Sequence, residues 1–358
     1  MKAILLLEDG TVFDGSTRGA SCEVFGEVVF NTSMIGYQET LTDPTNKGQI
    51  VAMTFPMIGN YGTNSEDVES DSFKVQGFVV REICDFPNNF RCEKSIDEYL
   101  CENNICVIEG IDTRALTRVL RDKGTMNGAI LPADTDISKK LEEIKAYKIE
   151  KPAYEVTLKE KKVLSAENAV CKVAVWDFGC KNSVVSNLVK SGCDVTLYPA
   201  ETTAEEILNG GFDGIMLSNG PGNPKDYNEI ITEVKKVVTS GKPVFGIGLG
   251  HQLAALSMGA DTEKLQYGHR GASQPVKEIK KDRTYITVQN HGYAVKADSV
   301  SSDVGVVSHV NINDNTVEGI EYKNYPVTTV QFYPDTEYED NLYSRFVKVM
   351  TELKGEVR

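Results

Sequence analysis

Positive charge is scarce in this chain: its 358 residues carry 38 Lys and Arg against 52 Asp and Glu, a formal net charge of -14 at pH 7. Affinity for nucleic acid rests on clustered Lys and Arg, so no nucleic-acid partner is expected. Long apolar runs are missing too, since no stretch approaches the roughly 20 residues of a membrane span. The run Ala3-Ile4-Leu5-Leu6-Leu7 ends at Glu8-Asp9-Gly10, too short for a signal-peptide core. No membrane and a cytoplasmic setting are therefore expected. The eight cysteines include no C-x-x-C pair, and even the cluster Cys84, Cys92, Cys101 and Cys106 lacks a metal-binding knuckle, so no metal is expected. Without a secretory signal these cysteines read as reduced thiols.

What is present suffices for two cores. The length exceeds what one hydrophobic core usually organises, and 41% of the residues are hydrophobic. Residues 1–150 read as short strands followed by a helix. Asp9-Gly10 turns a hairpin between Ala3–Leu7 and Thr11–Phe13. Asp112 or Thr113 caps a helix bearing Leu116, Val119 and Leu120, and Gly124 stops it. Residues 151–170, rich in Lys and Glu and poor in periodic apolar content, are expected to be a linker. From residue 171 to 358 strands and helices alternate. Lys172–Trp176, Asp194–Tyr198, Asp213–Leu217 and Pro243–Ile247 read as buried strands, and Thr203 with Glu206 and the stripe Ile230, Val234, Val237, Val238 mark helices between them. That alternation predicts an α/β domain with a mostly parallel sheet. Tyr285–Val288, Gly305–His309, Val317–Tyr322 and Val327–Phe332 suggest an antiparallel extension, and a last helix aligns Leu342, Phe346, Met350 and Leu353.

One absence outweighs the rest. Pro243-Val244-Phe245-Gly246-Ile247-Gly248-Leu249-Gly250-His251-Gln252 has the build of a nucleophile elbow, a strand running through a glycine-flanked turn into a helix, yet its apex is Gly248. The scaffold for covalent chemistry is there and the reacting atom is not.

This elbow, with His251-Gln252 behind it, resembles that of the class I, triad-type glutamine amidotransferases, which carry Cys at the apex. The segments Glu27-Val28-Val29-Phe30-Asn31-Thr32-Ser33-Met34-Ile35-Gly36-Tyr37-Gln38-Glu39, Leu41-Thr42-Asp43-Pro44, Ile111-Asp112-Thr113-Arg114, Leu217-Ser218-Asn219-Gly220-Pro221-Gly222 and Gln289-Asn290-His291-Gly292 follow in the order of the carbamoyl-phosphate synthase small subunit. The resemblance covers nearly the whole chain. It implies an N-terminal small-subunit domain of mixed strands and helices, followed by a flavodoxin-like class I amidotransferase domain.

The family's remaining triad members, His and Glu, lie near the C-terminus, where this chain reads Gln331-Phe332-Tyr333-Pro334-Asp335. All three triad positions depart from the pattern: Gly248 for Cys, Tyr333 for His, Asp335 for Glu. A phenol ionises near pH 10, about three units above neutrality, and is a poor base where imidazole is a good one. Asp335 keeps a carboxylate but has no imidazole to orient. The glutamine contacts implied by the resemblance map to Thr45 (for a Ser), Gly220, Gly222, Leu249, Gln252, Asn290, Gly292 and Tyr293, and the N–H of Leu249 with a loop glycine resembles an oxyanion hole. Neither His251 nor His291 is the base in the family, and His269 and His309 read as structural. Cys180, at a strand-to-helix turn, reads as packing rather than a substitute nucleophile.

Function follows as an expectation. By resemblance the chain pairs with a large ATP-using subunit that makes carbamoyl phosphate for arginine and pyrimidine synthesis; it needs no cofactor itself, while ATP and magnesium act on the partner. L-Glutamine is not cleaved, and the retained contacts read equally as an amino-acid pocket that still binds it or as glycine loops and a polar turn that the fold itself needs. The alternatives are an active glutaminase with a rearranged nucleophile, and a stand-alone glutamine-binding sensor or scaffold.

Overall fold

The computed structural model describes residues 1–19, 23–335 and 341–356 and divides into two compact units, 1–150 with 266–271 and 151–265 with 272–358. In the first unit seven strands close into a barrel, in the order Lys2–Leu7, Val12–Gly19, Cys106–Glu109, Gly77–Val79, Gln49–Met53, Val24–Asn31, Met126–Pro132 and back to Lys2–Leu7. The expected hairpin forms, with Leu6 opposite Val12. Closure depends on a distant pairing, Lys2–Leu7 against Met126–Pro132, which removes the exposed edges that an open sheet would leave. Helix Thr113–Lys123 starts at Asp112, whose carboxylate accepts the Ala115 N–H at 2.9 Å, and stops at Gly124 with φ 96°. Leu116 and Leu120 on its inner face are fully buried.

The second unit is built on a ten-stranded sheet. Strands Cys193–Pro199, Cys171–Asp177, Gly214–Leu217, Val244–Ile247 and Val327–Val330 lie side by side in that order, all parallel. They are largely buried and mostly apolar, as expected of a sheet covered on both faces, with Thr196, Thr328 and Thr329 among the exceptions. Helices Asn182–Lys190, Ala204–Asn209, Asn228–Val238 and Leu249–Ser257 connect them, and Leu342–Glu356 closes the unit. Strands Val317–Tyr322, Arg283–Val295, Thr262–Glu278 and Gly305–Asn311 extend the sheet beyond Val327–Val330, with antiparallel pairing.

Three expectations need correction. Residues 151–170 are not a free linker: Lys162–Leu164 pairs antiparallel with Cys193–Pro199 as the sheet's edge strand, and the Tyr227 hydroxyl accepts the Ala153 N–H at 3.0 Å. A three-residue edge strand half open to water leaves almost no apolar pattern to read. Val327–Val330 belongs to the parallel group, paired with Val244–Ile247. Lastly, Cys106 is disulfide-bonded, whereas Cys84, Cys92, Cys101, Cys171, Cys180 and Cys193 are free thiols and Cys22 lies outside the described residues. No helix among the described residues is long and apolar enough to cross a membrane.

Candidate functional site

Strand Val244–Ile247 carries the chain to the C-terminal edge of the parallel sheet, where open α/β folds place their ligand crevices. The apex Gly248 has φ 55° and ψ -112°, and helix Leu249–Ser257 begins at the next residue. Its N–H donates to the Val330 carbonyl at 3.0 Å and its carbonyl accepts from the Gln252 N–H at 3.2 Å, so the turn is pinned on both sides. A residue with a Cβ in such a conformation is strained by about 1–3 kcal/mol. Space is not the obstacle. A Cβ here would stand 3.4 Å from Asn219 Cβ and 3.9 Å from the Gln331 carbonyl oxygen, ordinary contact distances.

The flanking glycines answer to a different constraint. A Cβ on Gly250 would run into the Leu217 carbonyl, and one on Gly246 would lie 2.8 Å from Thr329 Cγ2. They are glycine because helix and strands meet there without a gap. The Asn-Gly-Pro-Gly loop is equally tight: a Cβ on Gly220 would strike the Phe178 carbonyl, and Gly222 has φ 94°. The Leu249 N–H, at the first helical position, lies outside the helical hydrogen-bond ladder. That of Gly250 is already bonded to the Ser218 carbonyl at 2.9 Å.

The parallel pairing of Ile247 with Val330 sets the segment that follows Val330 beside the elbow. Tyr333 is buried there, its N–H bonded to the Val288 carbonyl at 3.0 Å. The ammonium of Lys181, also buried, stands 4.1 Å from the centre of the Tyr333 ring, a cation–π contact in a desolvated place. Asp335 accepts a 2.8 Å hydrogen bond from Asn187 on helix Asn182–Lys190. Gly248, Tyr333 and Asp335 therefore lie towards one edge of the sheet, with Tyr333 and Asp335 engaged in packing and local hydrogen bonds.

Seven of the eight expected glutamine contacts lie in the second unit: Gly220, Gly222, Leu249, Gln252, Asn290, Gly292 and Tyr293. The eighth, Thr45, belongs to the first unit, in a 3-10 turn whose N–H is held by Asp43 at 2.9 Å. Gln252 is committed to the framework, its amide nitrogen donating to the Tyr293 carbonyl at 2.8 Å and to Gln331 at 2.9 Å. The Gln331 amide nitrogen is a buried donor with no acceptor among the described residues. Asn290, Gly292 and Tyr293 share strand Arg283–Val295.

Two other side chains at this edge of the sheet, Ser218 and Cys180, sit within the hydrogen-bonded framework. The Ser218 hydroxyl accepts the Phe178 N–H at 2.8 Å and donates to the Asn219 carbonyl at 2.7 Å. Cys180 sits in a loop organised by Asp177, which accepts the Gly179 and Cys180 N–H groups. His251 is buried beneath the elbow with Nδ1 2.8 Å from Thr329 Oγ1, and burial pushes its pKa down to about 3. Burial likewise lowers His309 to about 4. Burial thus favours the neutral form of both imidazoles. His291 places its ring nitrogens 2.9 Å from the Tyr293 carbonyl and 2.8 Å from Gln289 Oε1, and His269 lies in the first unit.

Lys181, Asn187 and Gln331 are site residues that sequence reasoning did not single out. Lys181 could have been found from its place, four residues beyond a strand that ends at the sheet's C-terminal edge.

Residues 5–130 match the family model of the carbamoyl-phosphate synthase small chain, CPSase domain, and residues 174–347 that of class I glutamine amidotransferase. A carbamoyl phosphate synthase small chain of Clostridium perfringens is 47% identical over 355 residues, covering 97% of this chain and 99% of the relative. One from Bacillus thuringiensis subsp. konkukian is 46% identical, covering 99% and 98%, and one from Fusobacterium nucleatum subsp. nucleatum is 47% identical, covering 96% and 97%. Identity of this depth over both units, together with the two family matches, shows that the chain belongs to the carbamoyl-phosphate synthase small chain family.

Proposed function

We propose that this chain is the small chain of a carbamoyl-phosphate synthase and that it no longer hydrolyses glutamine. In triad catalysis a nucleophile needs a base within hydrogen-bond reach and a group that orients the base. Glycine at the apex supplies no atom to attack with, and a buried tyrosine under a lysine ammonium is no substitute for imidazole. The observation that carries the reading is the Gly248 turn, which keeps a strained elbow conformation with room for a side chain and has none.

The chain then supports or regulates a large chain that takes ammonia directly and uses ATP and magnesium to make carbamoyl phosphate, feeding arginine and pyrimidine synthesis in the cytoplasm. Glutamine still binds, held by the glycine loops and the strand Arg283–Val295, and is not cleaved. The test is reconstitution with the large chain and comparison of nitrogen donors. Ammonium is expected to support carbamoyl phosphate formation and glutamine is not. Equal use of both donors would favour a rearranged nucleophile. Failure of the two chains to associate would favour a stand-alone glutamine sensor.

A further inference from the structure

The first unit carries a concentration of positive charge that the net charge of -14 conceals. A cavity of about 660 Å³ is lined by Arg81, Arg114, Arg118 and Arg121, with Asp112 the one acidic group in its wall. Arg114, Arg118 and Arg121 follow one another at helical spacings of four and three on Thr113–Lys123, so they share a face. Leu116 and Leu120 anchor the inner side of that helix in the core. Arg81 reaches the cavity from a loop fixed by a 3.1 Å hydrogen bond from the Gly110 N–H to its carbonyl.

Two features set this cluster apart. The first is its lack of counter-charges. Three arginines outside it are neutralised by carboxylates, Arg18 by Asp85 and Glu109, Arg91 by Glu66 and Asp67, Arg345 by Glu278. Here Arg121 pairs with Asp122 at 3.0 Å, while Arg81, Arg114 and Arg118 have no ion pair or hydrogen-bonded side-chain partner among the described residues. The Asp112 carboxylate accepts a hydrogen bond from the Ala115 N–H. The second feature is a local cost. Like charges four apart on a helix repel, and a cation in the first turn opposes the helix dipole, so the Arg114–Arg118 pair is unfavourable in the isolated chain. Sequence choices that work against their own element mark places kept for binding.

We propose that this pocket docks an acidic, carboxylate-bearing segment of the large chain, an inference that rests on the partner named under the proposed function. Guanidinium forks match carboxylates two bonds at a time, and several at fixed spacing recognise a row of acidic side chains rather than a single anion. The cavity is far larger than one phosphate group, and none of its lining residues is aromatic, so a nucleobase would find nothing to stack on. The remaining surface of so acidic a chain would repel an acidic partner, which gives this patch the orientation of docking as well as part of its strength.

The test measures affinity of the purified full-length chain for the large chain by calorimetry at two salt concentrations. The variants are R114E/R118E, the milder R114Q/R118Q, and K139E on the helix Ile137–Ala146 as a control, each first checked for an unchanged melting transition. The proposal expects charge reversal to weaken binding by about a hundredfold or more, the neutral pair by about tenfold, and the control by less than about threefold. It also expects a shallower salt dependence for both double variants. Wild-type binding that R114E/R118E weakens no more than K139E overturns the docking site and leaves the partner standing. Tripolyphosphate binding that R114E/R118E abolishes, while the affinity for the large chain is unchanged in that variant, overturns it in favour of a small-oxyanion site. No wild-type binding overturns the partner and the docking together.

Discussion

The elbow at Gly248 and the segment Gln331–Asp335 stand side by side, and on the proposed reading they depart from an amidotransferase site in opposite ways. At the elbow the backbone conformation remains while the side chain is gone, with ordinary clearance to Asn219 and Gln331. At Tyr333 the space is occupied by a ring that is buried and covered by Lys181. One position is open and without a side chain; the other is filled. Restoring the thiol is therefore a local repair, whereas restoring the base requires the pocket wall to be rebuilt.

The comparison is sharpened most by putting the triad back. Gly248→Cys alone is expected to give negligible glutaminase activity, because a thiol without an imidazole is poorly activated and triad members act as a unit. The triple change Gly248→Cys, Tyr333→His, Asp335→Glu is expected to hydrolyse glutamine at least about a hundredfold faster than the single variant, the low end of what a positioned general base contributes. Ammonia release under saturating glutamine reads the difference directly. Equal rates would mean that Tyr333 does not occupy the base position.

Within the elbow, the glycines divide by cause. Gly250→Ala is expected to cost about 3 kcal/mol, since its Cβ meets the Leu217 carbonyl and neither helix nor strand can yield cheaply. Gly248→Ala is expected to cost less, about 1–2 kcal/mol, from backbone strain alone. Urea unfolding of the two variants checks this. A reversed order would show that the apex is more crowded than its neighbours.

Beneath the elbow, His251 and His309 make the stability of the fold depend on pH. Their folded pKa values, about 3 and about 4, lie below the ordinary value of 6.5. As pH falls the unfolded chain takes up these protons first, so the stabilisation is full above pH 6.5 and is lost progressively toward pH 4. His251→Gln should lessen the loss between pH 7 and pH 5 by about 2 kcal/mol. A pH profile that superimposes on that of the wild type would show that His251 does not titrate on unfolding.

The smallest effect concerns substrate binding. Millimolar glutamine is expected to raise the melting temperature by a few degrees through mass action, with no cleavage. A flat titration would make the glycine loops purely architectural.

Much of this was legible in the sequence where the determinants are local. The β-strand Val244–Ile247 announces itself as an apolar run, Gly246 and Gly250 by their spacing about the apex, and helix Thr113–Lys123 by Asp112 and Gly124 at its ends. What stayed hidden depends on partners far away in the chain. Closure of the barrel needs Lys2–Leu7 to meet Met126–Pro132, and nothing in either segment names the other. Strand Thr262–Glu278 is interrupted by Gly268 and Gly271, both at positive φ, which blurs its alternation. Lys162–Leu164 is too short and too polar to show as a strand until Cys193–Pro199 offers it an edge. The same limit holds at the site. Gly248 is conspicuous from its neighbours, whereas the stacking of Lys181 on Tyr333 joins residues about 150 apart in sequence.

The most direct measurement is the release of amide nitrogen from isotopically labelled glutamine by this chain in complex with the large chain, carried through full turnover of ATP and bicarbonate. The account predicts no labelled ammonia or carbamoyl phosphate above the uncatalysed background, while added ammonium sustains synthesis. Labelled carbamoyl phosphate formed from glutamine, and abolished by substituting Cys180 or Ser218, would contradict it.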